Sequence, residues 1–226
     1  SASLGHLMVR TSPSYEGTVA AIIVARGMTP ALRSLLDALD KQSRLPDQLI
    51  VCDVRAPRTS PLSSGQVIVA EDLPEGALLF SAGRTRNLSD TLAKLAKDKE
   101  GGQSLQGHDW LWVLHDDCEP SPNCLEEQLK AAGQGPSIAA VTPKIFRPDG
   151  TLCELGIRAT SSGRRVPEVF DGEIDQGQYD GTSDVLAGGS AGLLVLAKAY
   201  SHVGGFDRAL GPYNEGLELC WRLHRS

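Results

Sequence analysis

Residues 112–122 read WVLHDDCEPSP. An apolar run meets His115, Asp116 and Asp117 and then a proline-rich stretch. Two adjacent carboxylates at the end of a buried strand are costly unless a metal, a basic group or water offsets their charge. In an extended chain neighbouring side chains point to opposite faces, so only a turn lets both acids reach one ligand. Hard divalent ions choose oxygen ligands, and Mg²⁺ commonly takes one or two carboxylates together with substrate phosphates. One acid would then hold the ion and the other a ribose hydroxyl. The plainer reading is a solvated turn, or anions placed at the start of the following helix, where the helix dipole favours them. His115, if neutral, is either a metal ligand or, more commonly for such a residue, a hydrogen-bonding side chain.

Other chemistry-bearing residues lie farther along. Asp53 ends the apolar run LIVCD. Arg84 and Arg86 open a helical pattern in GRTRN, where a cation gains nothing from the positive end of the helix dipole; they face either a ligand or solvent. The bend GGSAG (188–192) includes Gly189 and suits a close backbone approach to a ligand or a tight entry into a buried strand. The final segment NEGLELCWRLHR carries Glu215 and Glu218 on nearly one helical face. Either acid can serve as a general base, or both can pair with Arg222 or Arg225 along the helix.

These groups need a frame. TVAAIIVA (18–25), DQLIVCD (47–53), GQVIVAED (65–72), DWLWVLHDD (109–117) and SIAAVTP (137–143) read as strands. TPALRSLLDALDKQ reads as a helix capped by Thr29 with Pro30 at its first position. GRTRNLSDTLAKLAKDK (83–99) is a second helix, EGGQSLQG a loop, and SPNCLEEQLKAAG a third helix capped by Ser121. Strands alternating with helices predict an α/β fold with a mostly parallel sheet, whose ligands bind beyond the carboxyl ends of the strands. Asp53, Asp116 and Asp117 all fall at such ends. Later come a hairpin turning at Asp149-Gly150, a polar loop over 159–184, a short strand and helix, and a closing helix. Trp110 and Trp112 share one sheet face and are expected in the core, whereas Tyr213 and Trp221 either pack or stack on a sugar.

The composition excludes several classes. A chain of 226 residues with 41% hydrophobic residues sustains a sizeable core. A net charge of −6 argues against a general nucleic-acid binder. Five cysteines without CxxC spacing fit reduced thiols in a cytosolic domain rather than a zinc site. No run approaches the ~20 apolar residues of a membrane span, and no signal peptide opens the sequence. The close at CWRLHRS, inside a helical pattern, reads as a domain continued in a longer protein.

Taken in order, AAIIVA, LRSLLDALDKQS, LIVCD, LHDDCEPSP, PKIFRPDGTLCELG, GGSAGLLVLAKAYSHVGGFD and NEGLELCWR resemble a family 2 glycosyltransferase. The resemblance implies a GT-A fold and an inverting transfer from a nucleoside-diphosphate sugar, dependent on Mn²⁺ or Mg²⁺. The acceptor would be a glycan, a lipid-linked glycan or a protein, as in cell-envelope polysaccharide synthesis. Residues 1–17 read as a polar, irregular segment, and the resemblance implies one domain over 18–226. Residues 18–143 would form its nucleotide-sugar half and 144–226 its acceptor and catalytic half. Asp53, Arg84, Arg86, Asp116 and Gly189 would meet the donor, and Asp117 would ligate the metal. The domain would act at the inner face of the cell membrane, attached if at all through parts outside this chain. Two departures stand out. The family's Glu-Asp pair is here Glu215-Gly216, so the usual base is missing; Glu215, or else Glu218, would replace it. Val54 stands where a second early Asp is common. The alternative is a degenerate GT-A domain that binds nucleotide-sugar, or acts as a scaffold, without efficient transfer. A nucleotidyltransferase would need a lysine that VARGMTP lacks.

Overall fold

The computed structural model describes residues 17–55, 66–155, 157–159, 165–167, 169, 172–178, 188–209 and 215–226. In chain order the elements begin with β1 (Val19–Ala25), α1 (Pro30–Asp40), β2 (Gln48–Asp53), β3 (Leu78–Ser81), α2 (Leu88–Leu95), α3 (Lys99–Gly107), β4 (Trp110–His115), α4 (Cys124–Ala132) and β5 (Ala140–Val141). Then follow β6 (Ile145–Phe146), β7 (Leu152–Glu154), β8 (Ile157–Ala159), β9 (Arg165–Pro167), β10 (Leu193–Leu196), α5 (Ala197–His202) and α6 (Glu215–Arg225).

The main sheet has the order β3-β2-β1-β4-β10-β5. β1 is parallel to both β2 and β4, while β10 runs antiparallel to β4. Alternate residues of β1 enter two cores. Val19, Ala21, Ile23 and Ala25 meet α1 and α4, along with Trp110 and Trp112. Ala20 and Ile22 face α2, α3, α5 and α6. The period of two along each strand thus builds a helix–sheet–helix sandwich, with both tryptophans in the core as expected. Thr29 does cap α1, its hydroxyl accepting from the Leu32 amide at 3.1 Å, with Pro30 opening the helix. The β6–β7 hairpin turns where expected, at Gly150 with φ +84°.

Several elements differ from the sequence reading. Residues 66–72 form no strand of the sheet. They make a bridge to Met28 and a short 3₁₀ turn, leaving Val67 and Val69 exposed around buried Ile68. The alternation is real, but the edge of β2 is taken by Leu78–Ser81. The helix expected over 83–99 shortens to Leu88–Leu95, and the segment read as a loop is helical, within α3. Asp98 caps α3 by accepting from the amides of Glu100 and Gly101. A Cβ on Gly101 would lie 2.3 Å from Leu95 Cδ1, and one on Gly102 would lie 2.7 Å from the Ala96 carbonyl oxygen. The two glycines let α3 start directly against the end of α2, so they serve close packing rather than breaking the helix. Ser121 does not cap α4. That helix begins at Cys124, and the Ser121 hydroxyl donates instead to Asn123 Oδ1. The strand expected over 137–143 shortens to Ala140–Val141. The polar loop expected over 159–184 lies largely outside the described residues.

Candidate active site at the carboxyl edge of the sheet

After β1 the chain moves to β2 and β3 on one side, then returns to β4 on the other. The crevice between the carboxyl ends of β1 and β4 is therefore the switch point at which open α/β sheets bind ligands. The two-acid turn sits there. The Cys118 amide donates to the His115 carbonyl at 3.0 Å, which closes a turn with Asp116 and Asp117 at its two corners. Asp116 Oδ2 accepts from the backbone amide of Arg26, the residue after β1, at 3.1 Å. Asp117 is exposed. What the structure sets against Asp116 is the backbone amide of Arg26, and burial, with a smaller contribution from the Arg26 charge, depresses the His115 pKa.

His115 is half-buried, and burial holds its pKa below the usual value against the raising effect of Asp117 and Asp116. A neutral ring follows. Its Nε2 lies 3.0 Å from the Ser190 hydroxyl. His115 therefore binds the bend at 188–192 within the protein.

At the end of β2, Asp53 is buried and bound by Arg55, whose Nε and Nη2 lie 2.9 and 2.6 Å from Oδ2. Sequence reasoning missed Arg55, although a cation two residues beyond a strand-end acid is a signal for such a pair. Arg86 pairs with Asp90 (2.7 Å), and Arg208 joins the same carboxylate (2.9 Å). Those guanidinium hydrogen bonds hold the Asp90 carboxyl far below the ordinary carboxylate range. The Arg84 carbonyl accepts from Lys94, which ties the loop before α2 to the helix.

Glu215 and Glu218 part company. Glu215 is 2% exposed, and its Oε1 accepts from the Ser89 amide, 3.3 Å away in the first turn of α2. It caps a donor that the helix itself leaves unsatisfied. Burial pushes its carboxyl pKa up, the Ser89 amide draws it down, and nearby Asp90 pushes it up again. Glu218 is clamped by Arg222, which also donates to the carbonyls of Val203 and Gly205.

The glycine bend owes little to unusual dihedrals: within 188–192 only Gly192 has positive φ. Its glycines serve contact. A Cβ on Gly188 would lie 2.1 Å from Thr142 Cγ2, and one on Gly189 would lie 2.7 Å from Glu154 Oε1. That same oxygen accepts the Gly189 amide at 2.5 Å. Gly216 belongs to this packing too, since its Cβ would stand 2.3 Å from the Gly188 carbonyl oxygen. Glu154 was not foreseen, because its sequence context marks it only as a hairpin residue.

Among the described residues no group of three or more His, Cys, Asp and Glu side chains is placed to hold a metal ion. The turn nevertheless suits an ion that arrives with a nucleotide. One exposed carboxylate beside a second, held one is the share of ligands a protein gives Mg²⁺ when phosphates supply the rest.

A family model for glycosyltransferase-like family 2 matches residues 16–226. The galactofuranosyltransferase GlfT1 of Mycolicibacterium smegmatis is 27% identical over 225 residues, covering 94% of this chain and 67% of that protein. The N-acetylglucosaminyl-diphospho-decaprenol L-rhamnosyltransferase of Mycobacterium tuberculosis is 25% identical over 217 residues, covering 87% and 67%. The chain thus spans about two thirds of the length of the curated relatives it matches. Among solved structures, a mannosyltransferase from Pyrobaculum calidifontis in complex with GDP-Man and Mn²⁺ superposes with a TM-score of 0.56 at 18% identity. The match covers 94% of this chain and 53% of that one. GalNAc-T7 with UDP, GalNAc and Mn²⁺ gives 0.62 at 14% identity over 92% and 40%. These likenesses establish the fold as GT-A. With its switch-point acids in place and a family match running from residue 16 to residue 226, the chain belongs to glycosyltransferase-like family 2.

Proposed function

We propose that this chain is the catalytic domain of an inverting, metal-dependent glycosyltransferase that moves a sugar from a nucleoside diphosphate to a cell-envelope glycan acceptor. The observation that carries this reading is the turn of Asp116 and Asp117 at the switch point, tied to β1 through the Arg26 amide. The two solved neighbours hold a nucleotide or nucleotide-sugar together with Mn²⁺, and the name of the rhamnosyltransferase relative specifies a lipid-linked acceptor. A lipid-linked acceptor would place the work at the inner face of the membrane. Among the described residues no helix is long and apolar enough to cross one.

In this reading residues 18–143 form the donor half and 144–226 the acceptor half. Asp53, with Arg55, borders the base and ribose, and Asp116 meets the ribose. Asp117 would hold the divalent ion, which would supply Lewis-acid charge to the departing diphosphate. Arg84 and Arg86 add positive charge beside the phosphates, and the bend at Gly189 walls the sugar. The acceptor oxygen attacks the anomeric carbon as the bond to phosphate breaks, and the bonding pair leaves with the nucleotide. Attack from the opposite face inverts the centre. Glu215 takes the hydroxyl proton: a buried carboxyl with a raised pKa is a better base near neutral pH than an exposed one. Glu218, held by Arg222, stays structural.

Isothermal titration of UDP, GDP and dTDP with and without Mn²⁺ tests the reading. Metal-dependent binding of one nucleotide is expected. Failure of all three to bind would remove the proposal, and binding without transfer to any acceptor would favour a nucleotide-sugar scaffold.

A further inference from the structure

We propose that Glu154 is a positioning residue for the transfer reaction, acting through the bend at 188–190. The proposal rests on the reading above. Three contacts from separate parts of the chain converge on those residues. Glu154, at the end of β7, accepts the Gly189 amide at 2.5 Å. The Ser190 hydroxyl meets His115 Nε2 at 3.0 Å, next to the two-acid turn. The Gly188 carbonyl abuts Gly216 in the first turn of α6, one residue from Glu215.

The bend is therefore the spacer between Asp116–Asp117 on one side and Glu215 on the other. It has no slack: added Cβ atoms at positions 188, 189 and 216 would fall 2.1, 2.7 and 2.3 Å from their neighbours. A hydrogen bond to the Gly189 amide holds the bend against β7, and an oxygen acceptor at position 154 is what makes it. Glu154 supplies that bond from a different hairpin, and neither Ser190 nor Gly216 replaces it. Without it the bend can withdraw from β7, and the spacing between leaving-group side and base side loosens.

The experiment compares Glu154→Ala and Glu154→Gln. The glutamine oxygen still accepts the Gly189 amide, whereas alanine offers nothing. Loss of an outer partner of this kind typically costs ~10–100-fold in activity, and that fall is expected in kcat for the alanine variant. Donor KM should change less than kcat, because in this reading Glu154 makes no donor contact of its own and acts only through the bend. Glu154→Gln should recover most of the rate. Exchange of the Gly189 amide, followed by mass spectrometry, should quicken about tenfold or more in the alanine variant alone. Full activity of Glu154→Ala would overturn the proposal. So would a glutamine variant as impaired as alanine, which would assign the carboxylate a charge or proton role. Unchanged exchange at Gly189 would overturn it too, and that measurement requires no turnover. It tests the hold of Glu154 on the bend even if the chain transfers no sugar, a result that would sink the functional reading on which the proposal rests. Should Glu154→Ala fail to fold, Gly189→Ala displaces the same carboxylate and should show the same loss in kcat; a normal rate there overturns the proposal.

Discussion

At the ends of β1, β2 and β4 the polar groups are side chains, each delivered by a strand whose register is fixed by neighbours. Ala25 stands opposite Asp53, and Val24 opposite His115. Around the bend at 188–190 the contacts are made by backbone atoms, bare Cα positions and one short side chain, the Ser190 hydroxyl, and their partners come from residues 115, 142, 154 and 216. In the first region the chemistry would rest on the chain-end acids themselves. The second tolerates no added atom, whatever its chemistry. One region stores its specificity in charge and the other in volume.

The sharpest way to break that contrast is Asp117→Asn. If charge is what the strand-end region supplies, turnover should fall by ~10²–10³ or more and Mn²⁺ should no longer strengthen nucleotide binding. Unchanged metal dependence in titration would remove Asp117 from the site. Glu215→Gln comes next, because it spans both regions. As general base its loss should cost ~10²–10⁴ in kcat with donor binding spared. The raised carboxyl pKa sets the pH behaviour. This group favours the folded state fully below its unfolded value, and that contribution is lost as pH rises through the higher folded value. The glutamine variant should therefore melt higher than the parent at neutral pH and lose this advantage in acid. In the parent, kcat should fall as acid protonates the same group. Melting curves and pH–rate profiles check both halves.

Gly216→Asp puts back the residue common in the family and tests the volume argument. Its Cβ would press on the Gly188 carbonyl, so a loss of about 1–3 kcal/mol is expected, with no gain in rate. A faster, equally stable variant would show that the bend can yield. The smallest effect belongs to Glu218→Gln. Weakening a half-buried pair with Arg222 should cost about 1 kcal/mol in denaturant unfolding and leave kcat near the parent value. A collapse in kcat would return the base to Glu218.

The alternation of strands and helices, the cap at Thr29, the buried tryptophans and the strand-end acids were all legible, because each depends on neighbours within a few residues. The errors had a common source. Val67–Val69 had the pattern of a strand, yet Leu78–Ser81 held the available edge. Gly101 and Gly102 looked like helix breakers, yet they lie where α3 closes on Leu95 and Ala96. Glu215 and Glu218 were equivalent by spacing. Only Ser89 on one side and the carbonyls of Val203 and Gly205 on the other made one a buried carboxyl and the other part of a tether through Arg222.

By itself the sequence determined which residues carry charge, where strands end, and hence that two adjacent acids would stand at a carboxyl edge. Periodicity and strand polarity are local, and a carboxylate at a strand end needs no distant partner to be recognised. The tertiary structure alone decided which groups were taken by distant partners: Asp90 by Arg208, Gly189 by Glu154, and the space at Gly216 by the Gly188 carbonyl. Those pairings join residues far apart in the chain, where close packing, rather than local propensity, sets what fits.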